Sequence, residues 1–310
     1  MNLMTKEKRY NTLNAFYRDK FGKKVFKVSL NGNFTCPNKD GKSGYGGCIY
    51  CTESGSGDFA GNKEESLTSQ FNKVKNMMHE KWSDGYYISY FQANTNTYDT
   101  PKRLRSLYYE SISLDENIVG LSIATRCDAL NDDIYDLLEE LNGKTYLQIE
   151  LGLQSIHDET SKFINRAHSL ECFDKAVMEL RRRNIEVVVH IINGFHMESK
   201  EDMLNTVRHL NKLDIQGIKI HLLHIMKKTK LGKMYLENPF KMLTLDEYKD
   251  IVCDQLEILD PNIIVHRLTG DSPRELLIAP LWSLKKLVVM NEIDKELRKR
   301  DTYQGAKYIK

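Results

Sequence analysis

Three cysteines stand close together in the stretch NGNFTCPNKDGKSGYGGCIYC over 31–51. Cys36, Cys48 and Cys51 have the spacing C-x11-C-x2-C, and thiolates are ligands for zinc and for iron–sulfur clusters. A structural zinc site needs four closed ligands, whereas a four-iron cluster held by three thiolates leaves one iron open to a substrate or cofactor. The pattern predicts such an open cluster, with a zinc knuckle or unligated thiols as alternatives.

The other three cysteines are scattered along the chain. Cys172 lies on the apolar face of a predicted helix and Cys253 lies in another helical pattern, so we expect both in the core. Cys127 is expected near the mouth of the site but without a cysteine partner nearby, so no second cluster is predicted.

Composition places these cysteines in an ordinary globular protein. The chain has 310 residues, of which 41% are hydrophobic and 28% charged, with a net charge of +2 that hardly favours a polyanionic partner. No apolar run is long enough to cross a membrane, and the amino end lacks the apolar segment of a signal peptide. We therefore expect a cytoplasmic protein with reduced thiols and no membrane partner.

Six apolar, β-branched runs alternate with amphipathic helical patterns, which predicts parallel strands joined by right-handed helical crossovers. Six units are too few for a closed eight-stranded barrel, so we predict an α/β fold with an open, partial (β/α)6 TIM-like barrel over residues 1–235. Residues 236–310 are expected to form a C-terminal extension packed on the same domain, with a last strand over 262–268. The six predicted strands are 25–30, 86–92, 118–125, 146–154, 187–194 and 218–225.

The sequence resembles radical S-adenosylmethionine (SAM) enzymes, and in particular the YtqA/YhcC-type proteins related to the catalytic domain of Elp3 enzymes. The cysteine loop carries this resemblance together with GSGDF (55–59), ELGLQSIHDET (150–160) and HRLTGDSPRELLIAPLWSLKK (266–286). The eleven-residue first interval departs from the C-x3-C-x2-C spacing most common in the superfamily. The resemblance covers nearly the whole chain.

The resemblance implies a [4Fe-4S] cluster held by the three cysteines, with SAM on the open iron. Reductive cleavage of SAM would give a 5′-deoxyadenosyl radical that abstracts hydrogen from a substrate, with a flavodoxin or ferredoxin as electron donor. Gln92 and Asn94 follow strand two, where relatives contact the SAM ammonium. Gln154 and Arg166 have the spacing of coproporphyrinogen-oxidising relatives, in which glutamine faces the ribose and arginine the SAM carboxylate.

Two further polar residues are candidates for SAM binding. Arg126 lies in ATRCDAL, similar to a Thr-Arg-x-Asp segment of Elp3 relatives, and either contacts SAM or substrate or pairs locally with Asp128. Glu150 lies mid-strand and is expected on the barrel side, either as a ligand or in a structural ion pair, because a buried carboxylate is costly unless it is paired. His190 and His221 project from strands five and six, where they either line the mouth or are core histidines, and the core is the more common outcome on an apolar strand.

The substrate is the least specified part of the sequence. The segment with Arg267, Asp271 and Arg274 is either an anion-binding or substrate-covering loop or a surface ion-pair network. The resemblance implies tRNA as partner, with the wobble uridine side chain trimmed from carboxymethylaminomethyl to aminomethyl. The alternatives are a small-molecule or peptide substrate for the same chemistry, or a non-catalytic zinc or iron–sulfur module.

Overall fold

The computed structural model describes residues 3–53, 55, 60–82 and 84–309. Residues 56–59 of the GSGDF motif lie outside this description. Within it, no helix is long and apolar enough to cross a membrane.

A single curled sheet of seven parallel strands forms the centre of the molecule, in the order β1-β2-β3-β4-β5-β6-β8. The strands form where apolar and β-branched residues are concentrated, and they are buried on both faces over much of their length, as parallel strands covered by helices must be. Their bounds are β1 Val25–Leu30, β2 Tyr86–Phe91, β3 Ile118–Thr125, β4 Tyr146–Gln154, β5 Glu186–Asn193, β6 Gly217–Leu222 and β8 Ile264–Arg267.

Helices lie between the strands of the sheet, and most of them begin at a residue whose side chain caps the first turn. In α7, for example, the Ser199 side chain accepts from the Asp202 amide while the Asp202 carboxylate accepts from the Ser199 amide, which satisfies two donors at the helix start. The helices are α1 Leu13–Phe21, α2 Leu67–His79, α3 Pro101–Ile112, α4 Asp132–Asn142, α5 Asp158–Phe163, α6 Leu170–Arg182, α7 Lys200–Leu210, α8 Lys230–Glu237, α9 Leu245–Ile258 and α10 Lys286–Lys299.

The predicted partial barrel is confirmed, and the last predicted strand joins the sheet as its seventh. β8 pairs in parallel with β6, so the C-terminal part of the chain completes the half-barrel. Two short strands, β7 Ile225–Met226 and β9 Leu277–Ala279, form an antiparallel pair beside it. The division of the chain at residue 235 stays a prediction.

Candidate active site at the carboxyl ends of the strands

A cavity of about 280 Å³ opens at the carboxyl ends of the parallel strands. Ligands bind at this end of such sheets because the strand-to-helix loops converge there. The cavity brings together residues from both ends of the half-barrel, from the loop after β1 to the loop after β8. All nine residues predicted to bind the cluster or SAM line it: Cys36, Cys48, Cys51, Gln92, Asn94, Arg126, Glu150, Gln154 and Arg166.

The three loop cysteines are half-buried free thiols on the cavity wall. The thiols of Cys48 and Cys51 are in hydrogen-bond contact, and Cys48 also receives hydrogen bonds from Asn38 Nδ2 at 3.5 Å and from the Tyr50 hydroxyl. The sulfurs of Cys48 and Cys51 are therefore close together, and Cys48 accepts hydrogen bonds of the kind that surround metal-bound sulfur.

Charge around Cys48 favours its thiolate. Contact with the Cys51 thiol, followed by the positive charge of Arg126, lowers the pKa of Cys48 to about 6, against the opposing effect of burial. The same contact raises the pKa of Cys51, so one thiol of the pair ionises first. Thiolate is the form that binds metal, and the donor set therefore suits iron–sulfur ligation. Among the described residues, no group of three or more His, Cys, Asp or Glu side chains could hold a single metal ion as placed.

Arg126 forms the local pair that the sequence left open as an alternative. Its Nε and Nη2 each donate to a different carboxylate oxygen of Asp128 at 2.8 Å. Nη2 also donates to the main-chain oxygen of Arg166 at 2.8 Å. Arg126 thus links the end of β3 to the segment after β4 while presenting its charge to the cysteine loop. Its contact with SAM stays a prediction.

Arg166 is 1% exposed, and its guanidinium is engaged with the backbone. It donates to the carbonyls of Leu153 at 2.5 Å, Ser155 at 2.6 Å and His168 at 3.2 and 3.1 Å. These bonds use four of the five guanidinium donors and hold the loop after β4 in place. The geometry therefore gives Arg166 a positioning role beside the cavity, and binding of the SAM carboxylate would use the remaining N–H.

The strand-end amides have unusual backbones. Asn94 and Gln154 have positive φ values of 62° and 67°, which non-glycine residues seldom adopt outside constrained sites. Asn94 Oδ1 accepts from Lys39 Nζ at 3.1 Å. A Cβ on Gly152 would lie 2.7 Å from Gln154 Nε2, so any larger residue there would displace the Gln154 amide from its present position. Gln92 accepts from the Ser29 hydroxyl at 3.2 Å.

Glu150 is the centre of a buried ion network. Its carboxylate accepts from Lys27 Nζ at 2.7 Å and from Tyr90 at 2.7 Å, and it contacts His190 Nε2 at 2.8 Å and the Lys219 ammonium. Burial opposes its charge, but Lys219 and Lys27 lower the pKa of Glu150 well below its usual range. Its oxygens are thus occupied by the protein, in agreement with the ion-pair alternative.

Two cavity residues, Lys219 and His224, were missed as site candidates. The side chains of Lys219, His221, His224 and Arg267 line the wall formed by β6, β8 and the segments after them. His190 and His221, expected in the core, also line the cavity, with ring centroids 5.4 Å apart. A signal existed, because Lys219 and His221 interrupt an apolar strand at a spacing of two and therefore share one face.

Cys127 does have a cysteine neighbour, so that expectation was wrong. α6 packs against the short turn after β3, and this brings the Cys172 thiol into hydrogen-bond contact with Cys127. The contact joins residues far apart in sequence, which spacing alone does not reveal. Cys172 is half-buried and Cys253 fully buried.

A second, larger groove adjoins the cavity and shares three of its residues, Lys39, Thr52 and Asn94. We call it the lysine groove, because Lys39, Lys63, Lys227 and Lys228 line it beside Glu53 and Asp99. By contrast, the three consecutive arginines over 181–183 are used in ion pairs with neighbouring carboxylates.

Comparison with family models gives two matches. Residues 42–210 match the model of the radical SAM superfamily, and residues 215–299 match that of the Radical_SAM C-terminal domain. The first covers more than half of the chain.

Individual proteins give similar results. The chain is 52% identical to the uncharacterized protein YtqA of Bacillus subtilis, over 96% of this chain and 92% of that one. It is also similar to the tRNA uridine(34) acetyltransferase of Methanocaldococcus jannaschii. The two are 24% identical over a region that covers 53% of this chain and 30% of that one. The solved structure of Methanocaldococcus infernus Elp3 with an N-terminal deletion has a similar fold, with a TM-score of 0.67 at 18% identity, over 90% of this chain and 64% of that one.

Proposed function

Because the chain belongs to the radical SAM superfamily and, within it, to the family of YtqA, we propose that it modifies the wobble uridine of tRNA. The proposed reaction trims a carboxymethylaminomethyl side chain to aminomethyl. The proposal that the protein is an enzyme is supported by one observation: three thiols and the polar residues at the strand ends line the same cavity. tRNA as substrate is supported by the name of the archaeal acetyltransferase relative.

Enzymes of this superfamily use a [4Fe-4S] cluster and SAM, which together supply a 5′-deoxyadenosyl radical for hydrogen abstraction. Cys36, Cys48 and Cys51 would hold the cluster. Asn38 and Tyr50 donate to Cys48 and stabilise its negative charge. Lys39 donates to Glu53 O at 2.9 Å as well as to Asn94, which ties the cysteine loop to the end of β2.

Four residues are proposed to contact SAM directly. Gln92 and Asn94 offer amide oxygens after β2, and Gln154 offers its amide after β4. Arg126 brings a positive charge to the same wall, where a carboxylate would be attracted. Arg166 fixes the loop after β4, beside Gln154.

The proposed reaction balances without an external oxidant. Removal of the carboxymethyl carbons as glyoxylate, with water completing the hydrolysis of the carbon–nitrogen bond, is a two-electron oxidation of the side chain. Cleavage of one SAM to methionine and 5′-deoxyadenosine takes up two electrons. We therefore expect one SAM to be used per uridine, with a flavodoxin or ferredoxin as the cytoplasmic donor that starts turnover.

The lysine groove supports an RNA substrate. It contains four lysines and two carboxylates, so its charge favours phosphates, and its shared residues connect it to the cavity. Tyr98 lies in the same groove and offers an aromatic face for an unstacked base. A nucleotide chain bound there would place a flipped uridine at the cavity.

The test is anaerobic reconstitution with iron and sulfide, followed by dithionite, SAM and tRNA that carries the carboxymethylaminomethyl group. Nucleoside mass spectrometry should show the aminomethyl product, and 5′-deoxyadenosine should form in equal amount. Formation of 5′-deoxyadenosine without any change in the tRNA would reject the tRNA proposal and direct the search to small molecules or peptides. Absence of 5′-deoxyadenosine formation would contradict the enzymatic proposal itself.

A further inference from the structure

One wall of the cavity has no role in binding the cluster or SAM as proposed above. It consists of Lys219 and His221 on β6, His224 after it, and Arg267 at the end of β8. We call these four residues the cationic wall. The segment after β8 closes it, with Gly270, Asp271 and Ser272 also lining the cavity.

The charges behind this wall are unbalanced. Glu150 is shared by two lysines, Lys27 and Lys219. Asp271 is likewise shared by two cations, Lys286 at 2.7 Å and Arg267 at 3.5 Å. Burial lowers the pKa of Lys219 to about 7, so the Glu150 network holds only part of a surplus charge. Asp271 faces two full cations, and the excess positive charge therefore lies mainly at Arg267, where an anion would neutralise it.

Hydrogen-bond donors on the wall are also unused. Arg267 makes its ion pair with Asp271 only at 3.5 Å, and that carboxylate lies nearer to Lys286. Within the described part of the chain, the Nε2 atoms of His221 and His224 are buried and have no hydrogen-bond partner. Burial keeps both rings neutral at ordinary pH by lowering their pKa values, that of His224 to about 4. A neutral imidazole can still donate one N–H.

We propose that the cationic wall binds a carboxylate of the substrate, with Arg267 as the principal partner. The planar guanidinium can donate two parallel hydrogen bonds, a geometry that matches a carboxylate. This inference rests on the proposed function and deepens it, because the side chain before trimming carries a carboxylate and the product does not. Arg267 is then a positioning residue for the reacting carbon next to that carboxylate.

The same charge separates substrate from product. Both side chains carry a protonated amine, but only the substrate has a carboxylate to balance it. The product therefore has an uncompensated positive charge, which Arg267 repels. A charged hydrogen bond of this kind is expected to change affinity by roughly 10- to 100-fold. The wall therefore favours entry of the carboxylate form and release of the trimmed one.

Binding without turnover tests the proposal. Reconstituted protein with SAM and no reductant is titrated calorimetrically with 5-carboxymethylaminomethyluridine and with its carbamoylmethyl analogue, in which a neutral amide replaces the carboxylate. Wild type should bind the carboxylate form at least ~10-fold more tightly, and Arg267→Gln should remove this preference. Arg267→Lys should restore part of it, because the charge remains without the fork, and it also controls for misfolding. Arg274→Gln, an exposed arginine in the same segment, should behave like wild type.

The affinity for SAM shows whether Arg267 binds the carboxylate of the substrate or that of SAM. If Arg267 binds the substrate, Arg267→Gln leaves the Kd for SAM unchanged. A preference that survives in Arg267→Gln, or a loss of SAM affinity in place of nucleoside preference, would overturn the inference.

A further experiment distinguishes failure of the tRNA proposal from failure of the proposed carboxylate site at Arg267. If wild type binds neither nucleoside, N-methylglycine and N-methylglycinamide replace them, with the histidine ring signals followed by NMR. A shift caused by the carboxylate alone and lost in Arg267→Gln would support the anion site and reject the uridine substrate. If neither compound shifts these signals, the anion site is rejected as well.

Discussion

Arg126 Nη2 donates a hydrogen bond of 2.8 Å to the main-chain oxygen of Arg166, across two neighbouring strand ends. The same guanidinium binds both oxygens of Asp128, so one side chain fixes the turn after β3 and the loop after β4. Arg166 in turn holds the carbonyls of Leu153 and Ser155 at the end of β4. Two arginines thus build a rigid rim beside the cysteine loop.

Removing Arg126 should therefore destabilise the protein more than a surface substitution would. Arg126→Gln leaves the largely buried Asp128 unpaired and should lower the free energy of unfolding by ~3 kcal/mol. Urea unfolding of the apo protein measures this. The double variant with Asp128→Asn should be less destabilised than the sum of the single variants, and strict additivity would show that the pair does not couple.

Cluster content should depend on three cysteines and on no others. Serine at Cys36, Cys48 or Cys51 should each reduce bound iron and the visible absorption of the reconstituted protein severalfold, because each removes one thiolate ligand. Cys127→Ala and Cys253→Ser are matched controls and should keep wild-type iron. Loss of about four irons in the Cys127→Ala variant would indicate that the pair with Cys172 binds metal.

The ion network at Glu150 should respond strongly to loss of its single carboxylate. Glu150→Gln leaves two largely buried lysines facing each other and should cost ~3–5 kcal/mol of stability. Adding Lys27→Met removes one of these cations and should recover part of the loss. Chemical denaturation of the two variants measures both effects, and a double variant no more stable than Glu150→Gln would contradict the network.

The strands of the sheet can be predicted from the sequence more accurately than the side-chain contacts between them. Strand runs such as 118–125 and 146–154 match β3 and β4 to the residue, because long runs rich in apolar residues and bounded by turn residues are strong local signals. The cysteine loop is equally local. Glu150, however, finds Lys27 and Lys219 at sequence separations of 123 and 69 residues, and only the curl of the sheet brings them together.

The site residues show the same division. The strand-end residues Gln92, Asn94, Arg126 and Gln154 are visible in the sequence, and all four line the cavity. The partners of Arg166 are not, because they are backbone carbonyls whose direction depends on the loop conformation. The contact of Cys127 with Cys172 depends on how α6 packs, which no spacing rule supplies.

Buried histidines should make the fold sensitive to acid. Burial lowers the pKa of His266 well below its ordinary value of 6.5 and that of His224 to about 4. At a pH between the folded and the unfolded pKa, each ring is neutral in the folded protein and protonated in the unfolded chain. The contribution of each histidine to the free energy of unfolding is therefore complete above about pH 6.5 and falls as the pH falls. Each such group contributes a slope of up to ~1.4 kcal/mol per pH unit. His266→Gln should reduce the slope of unfolding free energy between pH 6 and 4.5 by about this amount, and an unchanged slope would contradict the neutral, buried state.

The lysine groove should account for tRNA affinity without affecting SAM cleavage. Lys227→Gln with Lys228→Gln removes two exposed charges that line the groove. tRNA binding should then weaken ~10-fold at low salt. The slope of log K against log salt should become shallower by the amount that corresponds to about two lost phosphate contacts. Lys144→Gln with Lys212→Gln is the matched control, since both lysines are exposed and precede strands at the opposite end of the sheet.

Filter binding from 50 to 200 mM salt measures the slopes, while 5′-deoxyadenosine formed in the absence of tRNA should stay at the wild-type level in both double variants. Equal weakening by the two pairs would mean that tRNA follows net charge alone and does not bind in this groove.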